Sequence, residues 1–342
     1  MRVIKLIYKW ILFSVIIQVC ILTYINFFFL GGRTTIQVSN YQSSEKKTNY
    51  NVDVPQGSEM IKVSYDSSLV GCLSGGKLVI TDSKSNKEKK TISDDEGPVD
   101  YYRWLPDRNM VIHSTTVNGS GYSTVKLGTY DLDSDLEKKT LKIRSLPENS
   151  KVTSIELSTL TNIIYVKIKT SETRSRIYKF DIMDNMSYIM RMDASIDIKE
   201  TNFVDSFIYQ DENNNIMIRK ARPRSTKRIQ LEGKLVLLGV DASDKLYVGS
   251  LDSDNKVTKI FTGTPDESLK YTFSELRLKK PADKGDIKVT DEGKIFLVDK
   301  TERTIKGVGN SSDYSYKGEF IGIGTNSIIT YKGGKVKIES IS

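Results

Sequence analysis

Hydrophobic and polar positions fall into two patterns along the chain. Near the N-terminus, "WILFSVIIQVCILTYINFFFLGG" (10–32) runs without a charged residue. From Ser58 onward, short runs of β-branched and aromatic residues recur, each bounded by Gly, Asn, Asp or Ser. In order they are "GKLVITD" (76–82), "NMVIHST" (109–115), "NIIYVKI" (162–168), "NNIMIRK" (214–220), "DKLYVGS" (244–250), "GKIFLVD" (293–299) and "NSIITYK" (326–332). Each couples a polar turn to an apolar run of strand length. No long window carries a sustained 3.6-residue stripe, so helices are not expected in this part.

The first pattern predicts a membrane-spanning helix over residues 10–32. As a helix this run would be about 34 Å long, enough for a hydrocarbon core of ~30 Å. Arg2, Lys5 and Lys9 precede it, and the positive-inside rule keeps residues 1–9 in the cytoplasm. A cleaved secretory signal would end in small residues, whereas this run ends in "FFFLGGR". A lipoprotein signal would need a small residue before Cys20, where Val19 stands. The reading is a single-pass anchor in the cell membrane with the large domain outside. Residues 33–57, rich in Ser, Thr and Asn, form a tether whose last part can pair as a strand.

The second pattern predicts an all-β fold. The first apolar residues of the seven runs lie 30 to 53 positions apart, with a mean near 42. One four-stranded propeller blade takes about 40–45 residues, so residues 58–342 make about seven blades (six to eight) of an extracytoplasmic β-propeller. "NIIYVKIKTSETRSRIYKFDIMDNMSYIMRM" (162–192) reads most plainly as successive strands and turns. A pair of β-sandwiches is the rival, but no linker marks the middle of the chain.

"RWLPDRNMVI" (103–112) resembles the W-S-P-D-G-x-x-I signature of WD-like PD-repeat propellers, which occur in TolB-like proteins and prolyl-oligopeptidase relatives. Trp104, Pro106 and Asp107 carry the likeness, with Arg108 where glycine is usual. The resemblance implies a Pro-Asp hairpin turn followed by an inner strand, and it implies architecture only.

Composition narrows the functions. The formal net charge is +8; three of the positives precede the apolar run, leaving a weak, dispersed excess that does not suggest nucleic acid. Two cysteines make no disulfide framework, and Cys72 reads as a small packed hydrophobe. The one histidine, His113, lies in an apolar run with no nucleophile or orienting carboxylate in view, and no Gly-x-Ser-x-Gly elbow occurs. Asp131, Asp133 and Asp135 have calcium-loop spacing, but the position of the bidentate glutamate is Lys142. These turns and "LDSDN" (251–255) read as Asp-capped hairpins. No cofactor and no metal is expected.

"RKARPRSTKR" (219–228) is the strongest charge signal, with Arg219, Lys220, Arg222, Arg224, Lys227 and Arg228 within ten residues. It reads as a basic hairpin tip and a candidate anion-binding loop; "LRLKKPADK" (276–284) is a weaker second cluster. The functional expectation is a bacterial, membrane-tethered, non-enzymatic binding or scaffold module whose partner is an envelope protein or anionic wall polymer. The alternative is an envelope glycan hydrolase using propeller carboxylates.

Overall fold

The computed structural model describes residues 2–25, 49–220, 224–265, 270–309 and 312–341. They fall into two units, 1–46 and 47–342. In the first, a helix spans Arg2–Ile25, with large apolar side chains from Trp10 to Tyr24 exposed along it. Among the described residues no helix is long and apolar enough to cross a membrane. Residues 26–32 of the expected span, and 33–48 of the expected tether, lie outside the described residues.

The second unit is a seven-bladed β-propeller. Every sheet has four antiparallel strands, joined in sequence order in six of the seven. Blades 1 to 6 cover 59–92, 99–146, 151–193, 198–228, 234–282 and 287–315. Blade 7 takes three strands from 319–340 and its outermost strand from Tyr50–Asp53. Val52 pairs with Val336 there, and Val54 N–H donates to Gly334 O at 2.9 Å. The part of the expected tether that could pair as a strand therefore closes the ring, and no strand edge is left open between its two ends.

The first strands of neighbouring blades touch one another from blade 7 through blade 1 to blade 6 and line the central channel. Sheets pack face to face, and seven apolar clusters fill the seven seams. Each central strand is thus covered on both faces. This explains why Met110–Asn118 and Ile163–Lys169 are buried almost continuously rather than on alternate residues. Met110–Asn118 is the second strand of blade 2, one removed from the channel-lining Val99–Trp104. The Pro106-Asp107 turn joins the two, and Leu105 N–H donates to Met110 O at 2.9 Å.

Five of the seven runs singled out in the sequence are second strands; "GKLVITD" and "NNIMIRK" are third strands. The second strands begin at Leu69, Met110, Ile163, Ser206, Leu246, Ile295 and Ser327. Part of the uneven spacing therefore came from mixing two strand positions.

Because strands alternate in direction, loops between first and second strands share one face of the ring with loops between third and fourth strands. We call this the upper face. The third strand of blade 7, Lys335–Ser340, ends there, and Tyr50–Asp53 begins there. Asn49, whose side chain accepts from Ser340 N–H at 3.3 Å, is thus on the upper face.

Candidate functional site

Two of the propeller's concavities bear on function. The first, of about 290 Å³, lies at the upper end of the channel between blades 1, 2, 6 and 7, bordered by Lys62, Arg103, Asp291 and Thr325 among others. Charges from four first strands cluster beside it, with Lys62 and Arg103 on its border. Glu156 of blade 3 accepts from Arg103 Nη1 at 2.6 Å and from Lys199 Nζ at 3.1 Å. Ser154 Oγ also donates to it at 3.1 Å, and Lys62 Nζ donates to Tyr102 O at 2.9 Å.

Burial alone would raise the Glu156 carboxyl, but the Arg103 and Lys199 charges outweigh it and hold its pKa at about 2. Burial, aided by Arg103, brings Lys62 down to about 8. Arg103 is raised: burial disfavours its charge and Glu156 more than restores it. The cluster links four blades across the channel, and both Glu156 oxygens are committed to that task.

Glu200 follows Lys199 in sequence and stands apart in role. It is buried, neither oxygen has a hydrogen-bond partner, and burial with the nearby Asp205 and Glu156 charges lifts its pKa to about 10. A low and a high carboxylate are what acid–base glycan hydrolysis needs. Glu156, however, is sequestered by cations, and neither residue borders the channel cavity or the second concavity. The hydrolase alternative gains nothing from this geometry.

The second concavity, of about 640 Å³, runs along the upper seam of blades 3 and 4. Its blade 3 wall is built by Thr161, Tyr165, Lys179, Asp181, Ile182, Met183 and Tyr188, and its blade 4 wall by Asp205, Arg219, Lys220 and Arg224. At the floor, Asp205 is held by Lys179 Nζ and by Tyr165 O–H at 2.7 Å. Burial, then the Asp205 charge, raises the Tyr165 phenol, so it stays a donor. Tyr165 stacks on Phe207 at 4.9 Å between centroids, which fixes the floor.

Each rim loop has a cause. In 181–185 the Asp181 carboxylate accepts from the backbone N–H groups of Met183 and Asn185, both at 2.9 Å, and Asp184 takes φ 62°. This Asx turn leaves Ile182 and Met183 pointing outward, 69% and 77% exposed. In 201–205 the Asp244 carboxylate of blade 5 accepts from the N–H groups of Asn202 and Phe203. That anchorage leaves Phe203 63% exposed.

The basic segment divides by register. Arg219 pairs with Thr226 and Lys220 with Ser225 across the outer hairpin of blade 4. Met217, Arg219 and Arg228 share the sheet face toward blade 3, and Lys227 lies on the face toward blade 5. Arg222 lies outside the described residues. Of the six candidate cations, Arg219, Lys220 and Arg224 border the groove, Lys220 from the strand end on the Ile218 face, and no ion pair occupies them among the described residues.

Lys179 and the apolar rim were not legible as partners of this segment, being some 40 positions away. The Asp181-x-x-Asp184 turn is the signal that would have marked one rim loop; the same pattern at 211 and 252 falls in hairpins on the lower face. The turns at Asp131 and Asp252 are likewise capped by their own carboxylates: Asp133 N–H donates to Asp131 at 3.1 Å, and Asp254 N–H to Asp252 at 2.9 Å.

Trp104 is buried in the seam of blades 1 and 2, with Nε1–H donating to Lys62 O at 3.3 Å. Asp107 pairs with Arg108 at 2.7 Å on the upper face. Cys72 is buried between blades 7 and 1 and its thiol is pushed up by burial, the environment of an inert packed cysteine.

No family model and no curated protein matches the chain. Among solved structures it is similar to the β-propeller domain of Cps50 (Swd1) from Myceliophteria thermophila, at 13% identity and TM-score 0.53, covering 86% of this chain and 100% of that one. It is also similar to Hsv2 from Kluyveromyces marxianus, at 14% identity and TM-score 0.48, covering 82% and 89%. At 13% identity the first of these likenesses shows the fold alone.

Proposed function

We propose that this protein is a non-enzymatic binding module of a bacterial envelope, tethered to the cell membrane by residues 10–32 with the propeller outside. The groove between blades 3 and 4 is its recognition site, and its partner is anionic. One observation carries the reading. Arg219, Lys220 and Arg224 border a preformed concavity and hold no ion pair among the described residues; its two carboxylates are engaged elsewhere, Asp205 with Lys179 and Asp181 with the backbone of its own turn. Unpaired cations clustered this way repel one another, and a polyanion relieves that repulsion. Propellers commonly serve as binding scaffolds, and this fold suits that role.

The tether is supported by the uncharged run, the basic flank of Arg2, Lys5 and Lys9, and the exposed apolar side chains from Trp10 to Tyr24. Protease added to wall-stripped cells should digest the propeller and spare the N-terminal tail; a protected propeller would overturn the topology. A photoreactive residue at Ser187, in the groove, should form a crosslinked product. The same residue at exposed Ser171, on the opposite face of blade 3, should not. Equal crosslinking from both positions would discard the groove.

A further inference from the structure

The groove is flanked by apolar side chains that an anion alone does not require. Ile182 and Met183 stand on one side and Phe203 and Val204 on the other, with Leu160 in the neighbouring loop 159–162, all exposed. Ser158 Oγ donates to Asn202 O at 2.7 Å, tying the 159–162 and 201–205 loops together. All three loops lie on the upper face, and two are held out by carboxylate caps rather than folded onto the sheet.

We infer that this rim and its cations dock onto an anionic phospholipid surface. A hydrated phosphate polymer offers nothing to Ile182, Met183 or Phe203, whereas a bilayer supplies phosphates for Arg219, Lys220 and Arg224 and hydrocarbon for the tips beside them.

The inference rests on the groove being the recognition site of a tethered module, and its test is separate from that of the tether. All seven blades and all seven seam clusters lie within 47–342, so this unit carries its whole core. Its binding is measured by co-sedimentation with phosphatidylcholine vesicles, with the same vesicles containing phosphatidylglycerol, and with soluble poly(glycerol phosphate) in competition. Residues 47–342 should bind the anionic vesicles and not the neutral ones, with affinity falling steeply with salt.

Arg219→Gln/Lys220→Gln/Arg224→Gln should bind roughly a hundredfold more weakly, about fivefold per cation. Ile182→Ser/Met183→Ser/Phe203→Ser should lose vesicle binding about tenfold or more while binding the soluble polymer as before. These side chains are exposed, so melting temperatures should not move. Wild-type vesicle binding by the serine variant would assign the groove to a free polyanion and overturn the proposal. So would the absence of binding to anionic vesicles, even with the propeller shown to be outside the cell.

Discussion

His113 and Gly128 face each other across adjacent strands of blade 2, and the imidazole fills the space a side chain at position 128 would occupy. The ring is buried, and neither nitrogen has a hydrogen-bond partner. Burial depresses its pKa despite the opposing pull of Glu137 and Asp94. The only histidine in the chain is therefore a packing element held neutral, not a catalytic base.

Gly128→Ala should accordingly destabilise the fold by about 1–3 kcal/mol, the usual cost of overpacking. His113→Ala in the same chain should recover at least half of that loss, a coupling read by a double-mutant cycle in denaturant. Additive effects would place the clash elsewhere.

Glu156 of blade 3 ties blades 2 and 4 together through Arg103 and Lys199. Glu156→Gln leaves Arg103, Lys199 and Lys62 facing one another without their counter-charge and should cost about 3–5 kcal/mol. Its carboxyl sits at about 2 when folded and near 4.3 when unfolded. Its contribution is thus fully present above the unfolded value and lost as pH falls through the folded one. The stability gap between wild type and variant should close over that acidic window.

Glu200 has the opposite sign. With a folded pKa of about 10, the native state holds a proton that the unfolded chain releases above about 4.3. Its contribution is full below that value and drains as pH rises toward 10, with a slope approaching about 1.4 kcal/mol per pH unit. Glu200→Gln removes the titration, so the variant should gain on wild type steadily from pH 5 to pH 9. Parallel stability curves would mean that the carboxyl finds solvent or a partner when ionised.

The ring closes through Tyr50–Asp53 against Lys335–Ser340. A chain starting at Lys47 should unfold in one cooperative transition, and a chain starting at Pro55 should lose that cooperativity and bind hydrophobic dyes. Supplying a peptide of residues 47–56 should restore it in part. Indifference to the truncation would show that six complete blades and one three-stranded blade suffice.

Much of the architecture could be read from the chain because blade formation is local. A Pro-Asp turn at 106–107, a run such as Met110–Thr116 and an Asp-capped hairpin are each decided within a few residues. Their repetition near every 42 positions then restricts the fold to a propeller of about seven blades. Strand position within a blade was harder, because second and third strands are both buried on two faces and look alike in sequence. That is why Leu78 and Ile216 stood in for Leu69 and Ser206.

The groove and the channel cluster belonged to tertiary structure alone. The segment 219–228 announced its charge but not its surroundings. Strand alternation sends Arg219 toward blade 3 and Lys227 toward blade 5, a choice that depends on register. Lys179, Ile182 and Phe203 reach the same groove from a neighbouring blade and a neighbouring loop. Likewise Lys62, Arg103, Glu156 and Lys199 lie on four first strands some 40 to 50 positions apart, and they meet only because seven twisted sheets close into a ring. Local interactions set each blade; only closure brings side chains from separate blades within hydrogen-bonding reach.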